Sequence, residues 1–465
     1  MKIWSLAFRN LMRNRRRSLA TLLALAIGSA SLLLFGGYIA NIRYSMQTAY
    51  VRTGGHLQVQ HSDFFLYGSG NPTAYGITDF ERIVSAIRDD ATLKPMVNVV
   101  TPALQFLGIA GNYDLGVSRT VLGIGYVADD VARMRAWNDF GIGIAFPPFL
   151  LLKAPPDAAV VGVGLARVLL LCEPLGVKDC PRPAPETRKT GVELPADIAA
   201  LADAASDTKT TAVAPGTARL ELLASHGRGS PNVAAIKVLA AESQGFKELD
   251  EILVVLQLPQ AQRLVYGRAS PRATSIMIQL AHTSQMPSAA PRLQEILAIV
   301  APDQHLSVLD FEKLNPFYVQ SIQLFNTIFG FIFVLIGGIV LFMVSNTMTA
   351  AVVERTVEIG TLRAVGLRQR GIRQLFVAEG FFLGLAGAIL GALCALVIAF
   401  GVNQAELTWL PPGSSQPLPL NIRVWGETPT MAGTVLGLVL IATLSAWWPA
   451  YRAARLKIVD ALRHA

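Results

Sequence analysis

The sequence predicts a membrane protein of four transmembrane α-helices with a large α+β extracytoplasmic domain between helices 1 and 2. Three observations carry that reading. Only 15% of the 465 residues are charged while 52% are hydrophobic, against about 25% charge in a typical soluble domain, and the mean hydropathy is +0.44. Four uncharged stretches, 18–42, 316–353, 380–405 and 428–451, are long enough to span a bilayer, which takes about 20 apolar residues. Between the first and second lie about 270 residues of ordinary polarity that alternate strand-like and helix-like patterns.

Residues 1–17 form a basic amphipathic segment holding Lys2, Arg9, Arg13, Arg15, Arg16 and Arg17 and no acid. A secretory signal also begins with basic residues, but its apolar core is about 7–15 residues. Here the run from Ser18 is longer and no small-x-small cleavage site follows cleanly, so 18–42 reads as an uncleaved anchor. The domain at 43–315 carries strand candidates at 56–60, 97–110, 158–163, 218–223, 252–258 and 274–280, and helix candidates at 79–88, 260–266 and 290–300. A Pro-, Ala- and Thr-rich linker at 181–216 divides it into a first and a second lobe. Cys172 and Cys180, just before that linker, are a candidate disulfide in an oxidising compartment, the alternative being two free thiols. His56 and His61 read as polar strand-face residues rather than metal ligands.

The second span, 316–353, opens at Asn315-Pro316, where proline suits a first helical turn. It meets no breaker before about Glu358. A rod of about 42 residues reaches about 63 Å, twice the roughly 30 Å hydrocarbon core. Its outer part, with Gln320, Gln323 and Asn326, therefore forms a stalk. A short loop, 354–379, leads to the third span, 380–405. Residues 406–427 form an outer loop, 428–451 the fourth span and 452–465 the tail.

Charge placement sets the orientation. The N-terminal segment, the loop at 354–379 and the tail together hold 15 basic residues against four acids, Glu354, Glu358, Glu379 and Asp460. The remaining 25 basic and 28 acidic residues lie in the large domain and the outer loop. Basic excess marks the cytoplasmic side, so both termini face the cytoplasm, and the excess also offers a surface to anionic lipids. No basic stretch is interleaved with stacking aromatics, which argues against nucleic acid.

Chemistry is sparse. The chain has no G-x-x-x-x-G-K-[ST] phosphate loop, no H-E-x-x-H zinc helix and no G-x-S-x-G elbow. The mid-span regions offer Ser, Thr, Asn and Cys394 but no ionisable pair. The reading is a non-catalytic subunit with no catalytic residue, no metal and no directly bound cofactor. Gly380, Gly384, Gly387 and Gly391, in two G-x-x-x-G pairs, are candidate helix-packing positions, within one chain or between two.

The run Glu354-Arg355-x-x-Glu358-Ile359-Gly360-x-Leu362-Arg363-Ala364-x-Gly366 closely resembles the cytoplasmic signature of the FtsX-like/MacB-type ABC transporter permease family. The approach Asn10-Leu11-x-Arg13-Asn14-Arg15-Arg16-Arg17 and the tail Trp448-Pro449-Ala450-x-Arg452-Ala453-Ala454 through Asp460-Ala461-Leu462-Arg463 also look like the family's, with Val459 where proline is common. Outside, Gly55-His56-Leu57-Gln58-Val59 and Gln279-Leu280-Ala281-His282-Thr283 resemble the lipoprotein-release (LolC/LolE-like) branch, while 181–216 has no counterpart.

The resemblance implies a multi-pass protein of the bacterial inner membrane. It implies an ABC ATPase partner in two copies, with ATP and Mg²⁺ on that partner. It also implies a second permease copy or a related permease, and a periplasmic adaptor or substrate carrier. Glu354, Arg355, Glu358, Ile359, Gly360, Leu362, Arg363 and Gly366 would then couple the ATPase to movement of the outside domain. The cargo would be lipid-anchored or hydrophobic. The alternative in the same family is a signalling module that activates a periplasmic cell-wall hydrolase.

Overall fold

The structure, a computed structural model, describes residues 3–13, 15–143, 148–180, 218–225, 231–409 and 418–456. The linker expected at 181–216 and the end of the tail lie outside the described residues. In chain order the main elements are α1 (Ile3–Arg13), α2 (Arg15–Gly54), β1 (Leu57–His61), α3 (Phe80–Asp89), β2 (Val97–Asn112), β3 (Val117–Tyr126), α4 (Ala128–Arg135), β4 (Ala158–Gly162), β5 (Ala218–Ser225) and β6 (Pro231–Glu242). There follow β7 (Leu253–Gln257), α5 (Leu258–Tyr266), β8 (Ser275–Leu280), α6 (Met286–Val300), β9 (Leu306–Asp310), α7 (Pro316–Glu354), α8 (Thr356–Ala364), α9 (Gln369–Gln404), α10 (Thr428–Ser445) and α11 (Trp447–Ala454). The chain divides into a helical unit, built from Met1–Met46, Phe317–Trp409 and Leu418–Ala465, and a β-rich unit built mainly from Gln47–Pro316.

The β-rich unit is organised by one long strand. β2 pairs with β8 through its first half and with β5 through its second, while β3 lies antiparallel along its other side. Strand order β3-β7-β4-β6-β5-β2 with the additional β3–β2 pairing closes six strands into a barrel. Alternate residues point into it, as a period of two requires. Leu104, Phe106, Leu220, Leu222, Ile236, Val238, Val254 and Leu256 are buried there. Gly123 exists for this packing, because a Cβ at that position would lie 2.1 Å from the Phe106 ring. Beyond the barrel, β2, β8, β1 and β9 form a sheet whose apolar face is covered by α3 and α6, with Ile83, Ile87, Leu293 and Ile296 buried against it.

The expected two-lobe division in chain order fails. β4, before 181–216, pairs with β6, after it, and β5 pairs back to β2. Strands from both sides of the linker interleave in one barrel, since neither set has enough hydrogen-bonded neighbours to close alone. Cys172 and Cys180 are joined in a disulfide, their Cα atoms 6.2 Å apart. His56 precedes β1 and is fully buried. Its Nδ1 accepts from the Leu280 amide at 3.0 Å and its Nε2 lies 3.1 Å from the Thr283 hydroxyl.

In the helical unit, four helices among the described residues are long and apolar enough to cross a membrane: Ser18–Gly54, Pro316–Glu354, Gln369–Gln404 and Thr428–Ala454. α7 passes unbroken through Gly337-Gly338 for 39 residues, about 58 Å of rod. α9 is the centre of the packing. A Cβ on Gly380 or Gly384 would lie 2.5 Å from the Ala446 Cβ or 2.7 Å from the Ala442 Cβ. One on Gly387 would lie 2.4 Å from the Leu25 Cβ, and one on Gly391 2.5 Å from the Ala26 carbonyl. These four glycines bring α9 against α10 and α2 of the same chain. They are therefore spent inside the protein and do not furnish a face for a second copy.

Candidate functional site

The expected continuation of α7 to Glu358 stops four residues short, at Glu354. Arg355 leaves the helical conformation (φ −105°, ψ 18°) and α8 begins at Thr356. The segment expected as a loop, 354–379, is thus mostly helix: α8, a turn at Gly366, and then α9 from Gln369. Gly366 has φ +105°, a conformation that glycine adopts without steric penalty.

The break at Arg355 has a visible cause. Its guanidinium turns inward, and its Nη1 donates to Glu379 Oε1 at 2.9 Å while its Nη2 donates to the Asn10 carbonyl at 3.1 Å. Asn10 Nδ2 donates to the same Glu379 oxygen at 2.8 Å. Arg355 is 5% exposed and Glu379 1%. A buried carboxylate is tolerated when it is paired and hydrogen-bonded, and here it receives both an arginine and an amide. Three elements meet at this one carboxylate: α1 through Asn10, the α7–α8 junction through Arg355, and α9 through Glu379.

α8 is held on the helical unit by its inner face. Ile359 and Gly360 are buried, and Ile359 and Leu362 pack with Ile372, Phe376 and Leu367 in the helical core. The Arg363 guanidinium donates to the Leu456 carbonyl beyond α11. The opposite face is open. Val357, Glu358 and Thr361 of α8 are exposed, as are Val353 and Glu354 at the end of α7 and Val365 just beyond α8, the last at 83%. Glu358 forms an ion pair with Arg13 at the end of α1, both half exposed.

The eight positions singled out in the sequence therefore do two different things. Glu354, Glu358 and Gly366 lie on or beside the open face. Arg355, Ile359, Gly360, Leu362 and Arg363 fasten the segment to its own spans. For Arg355 and Ile359 the expected contact with a partner's groove is corrected, since both are buried within this unit, Arg355 against Glu379 and Ile359 in the helical core. Glu379 and Asn10 were missed as partners. The available signal was a lone carboxylate at the edge of an apolar span, which needs a counter-ion, but its identity depends on a contact across 24 residues and another across 369.

Two family models match the chain. The FtsX-like permease C-terminal model covers residues 327–458 and the MacB-like periplasmic core domain model covers residues 18–178. The lipoprotein-releasing system transmembrane protein LolC of Neisseria meningitidis serogroup B is 26% identical over 244 residues, covering 50% of this chain and 56% of that protein. The macrolide export ATP-binding/permease protein MacB of Escherichia coli K12 is 36% identical over 143 residues, covering 31% of this chain and 20% of that protein. The matches thus span about half the length of the first relative and a fifth of the second. The solved periplasmic region of MacB from Actinobacillus actinomycetemcomitans aligns over 59% of this chain and 95% of its own length at 10% identity with a TM-score of 0.32.

Proposed function

The chain belongs to the FtsX-like/MacB-type permease family, on the LolC-like branch, and from that premise we propose that it is the permease subunit of an ABC transporter whose ATP hydrolysis takes place on a separate ATPase subunit. Two ATPase copies, carrying Mg²⁺ and ATP, work on a pair of permeases in the bacterial inner membrane, with both termini of this chain in the cytoplasm. The cargo is lipid-anchored or hydrophobic and is exported or extracted from the membrane or periplasm.

The observation that carries this reading is α8. Its inner face is anchored by Ile359, Arg363 and the Arg355–Glu379 pair, while Val357, Thr361 and Val365 stand exposed at four-residue spacing. Residues four apart share one helical face, and a short helix that shows an apolar strip beside carboxylates suits a groove in a partner. A push on α8 would act directly on α7, which meets it at Arg355, and on α1 and α9 through Glu379.

The experiment is reconstitution with the cognate ATPase. Val365→Asp is expected to reduce ATPase co-purification and the response of hydrolysis to cargo at least tenfold, with membrane insertion unchanged. Full assembly and full transport by this variant would remove α8 from the coupling path and leave the permease reading without a mechanism.

A further inference from the structure

Among the described residues, one seam of the barrel, between β4 and β6, is incomplete. β6 runs for 12 residues, but its parallel neighbour β4 has only five and reaches only the second half of β6, from Ala158 opposite Lys237. The Lys237 amide donates to the Asp157 carbonyl at 2.9 Å, which fixes the direction in which its backbone points. Alternation along a strand then sends the backbone groups of Ala235 and Val233 the same way. Both face away from β5, whose pairing with β6 continues without a shift to Ser225 opposite Pro231. Pro231 shares this parity, and a proline fits where no ladder donor is needed.

A cleft of about 550 Å³ opens at this place. Its walls are Pro156 and Asp157 at the entry to β4, Asn232 to Ala234 of β6, and Gln260, Arg263 and Leu264 of α5. Gln260 is 8% exposed, and its Oε1 is buried with no hydrogen-bond partner among the described residues. Val233 is 60% exposed.

We propose that this cleft binds an extended peptide segment of another protein by strand addition to the free edge of β6. An edge of this kind presents donors and acceptors in alternation, at about 3.3 Å per residue. An extended polypeptide matches that pattern along its whole length, whereas a lipid chain has no donors and a single anion would meet one amide. Asp157 and Arg263, of opposite charge, stand on different walls and select side chains on the added strand. Gln260 Oε1 supplies an acceptor for one of its N–H groups.

The test uses the full chain in lipid nanodiscs and a fluorescent pool of synthetic octapeptides, with Val or Thr at alternate positions and the others degenerate. Fluorescence anisotropy is expected to show saturable binding. The same pool N-methylated at alternate amides is expected to bind at least tenfold more weakly. Val233→Pro removes the amide that faces the cleft and leaves the β5 ladder intact, so it should weaken binding tenfold with an unchanged melting temperature. Gln260→Ala, away from the strand, is the second variant and should weaken binding without touching the ladder. No saturable binding, or equal binding by the methylated pool, overturns the proposal. Binding that emerges only after deletion of 181–216 assigns the cleft to this chain's own segment, and a change of oligomeric mass in Val233→Pro assigns it to a second copy. Either result overturns an outside partner. No ATPase enters the assay, so its outcome is separate from that of the permease reading.

Discussion

In the β-rich unit the large apolar side chains point inward: Phe106, Leu104 and Ile236 fill the barrel, and the fully buried His56 is held by the Leu280 amide. In the helical unit Phe331, Val334, Phe342 and Phe400 face outward, each more than 60% exposed. There the contacts between helices are made by Gly380, Gly384, Gly387 and Gly391, and a carboxylate, Glu379, sits at the buried end. The first pattern is what water dictates, because burying apolar area is the dominant gain. The second is what lipid dictates. Apolar side chains gain little by leaving hydrocarbon, so helices associate through close backbone approach and a few polar contacts. Polar and small residues thus carry the specificity of the helical unit, while aliphatic packing carries that of the barrel.

The largest effect expected from this contrast is at Glu379. Glu379→Leu leaves the Arg355 guanidinium buried without its counter-ion, and removing one member of a buried pair costs about 3–5 kcal/mol. Thermal unfolding of the purified protein in detergent should show the loss. Replacing both members, Arg355→Met with Glu379→Leu, should recover most of it. A double variant as unstable as the single one would show that the pair is not the source of the defect.

The β-rich unit should respond to acid through His56. Burial lowers its pKa from 6.5 to about 4, with the Asp139 carboxylate opposing the shift more weakly. The folded state holds the ring neutral, so between about pH 6.5 and 4 the unfolded chain binds more protons. Stability is therefore fully present above the unfolded pKa and falls as pH drops toward 4, by about 3 kcal/mol over the window. The denaturation midpoint of the wild type should fall more steeply between pH 7 and 4 than that of His56→Gln. Parallel pH profiles would count against the buried neutral ring.

Gly387 tests the packing side of the comparison. Gly387→Val places carbon where the Leu25 side chain already stands, and overpacking of this kind costs about 1–3 kcal/mol. The same change at Gly338, where a Cβ meets nothing within 4 Å, should be near neutral. Equal melting temperatures for the two variants would remove the distinction between packed and lipid-facing glycines.

How much of this was legible beforehand follows the same division. The four long apolar helices were readable from runs without charge, and β1, β2, β4, β5, β7 and β8 from apolar alternation or short apolar runs. β3 and β6 were not. β3 carries Gly123 and Gly125 in its interior, which lowers strand propensity but admits the Phe106 ring. β6 is rich in alanine, which strands disfavour, and it is recruited by pairing with β5 along its length. In the candidate site, the signature residues were readable as a group. Their split into an anchored and an open face was not, because it depends on Glu379 and Asn10 arriving from elsewhere in the chain.

The smallest stability effect is expected at Glu358, and there the contrast with Glu379 is most informative. Both are carboxylates paired with arginine, but the Glu358–Arg13 pair is half exposed on both sides. Water already solvates each charge, and exposed pairs are worth about 0–1 kcal/mol. Glu358→Gln should therefore melt within a degree or two of the wild type, and high salt should erase the remainder. If α8 docks on an ATPase, the same substitution removes a charge from the docking face and should weaken co-purification severalfold while the fold stays intact. Arg13→Gln breaks the same intramolecular pair from the other side and leaves the Glu358 charge in place. Equal loss of ATPase binding in both variants would assign the effect to the pair within this chain. Loss in Glu358→Gln alone would assign it to the carboxylate as a contact for the partner.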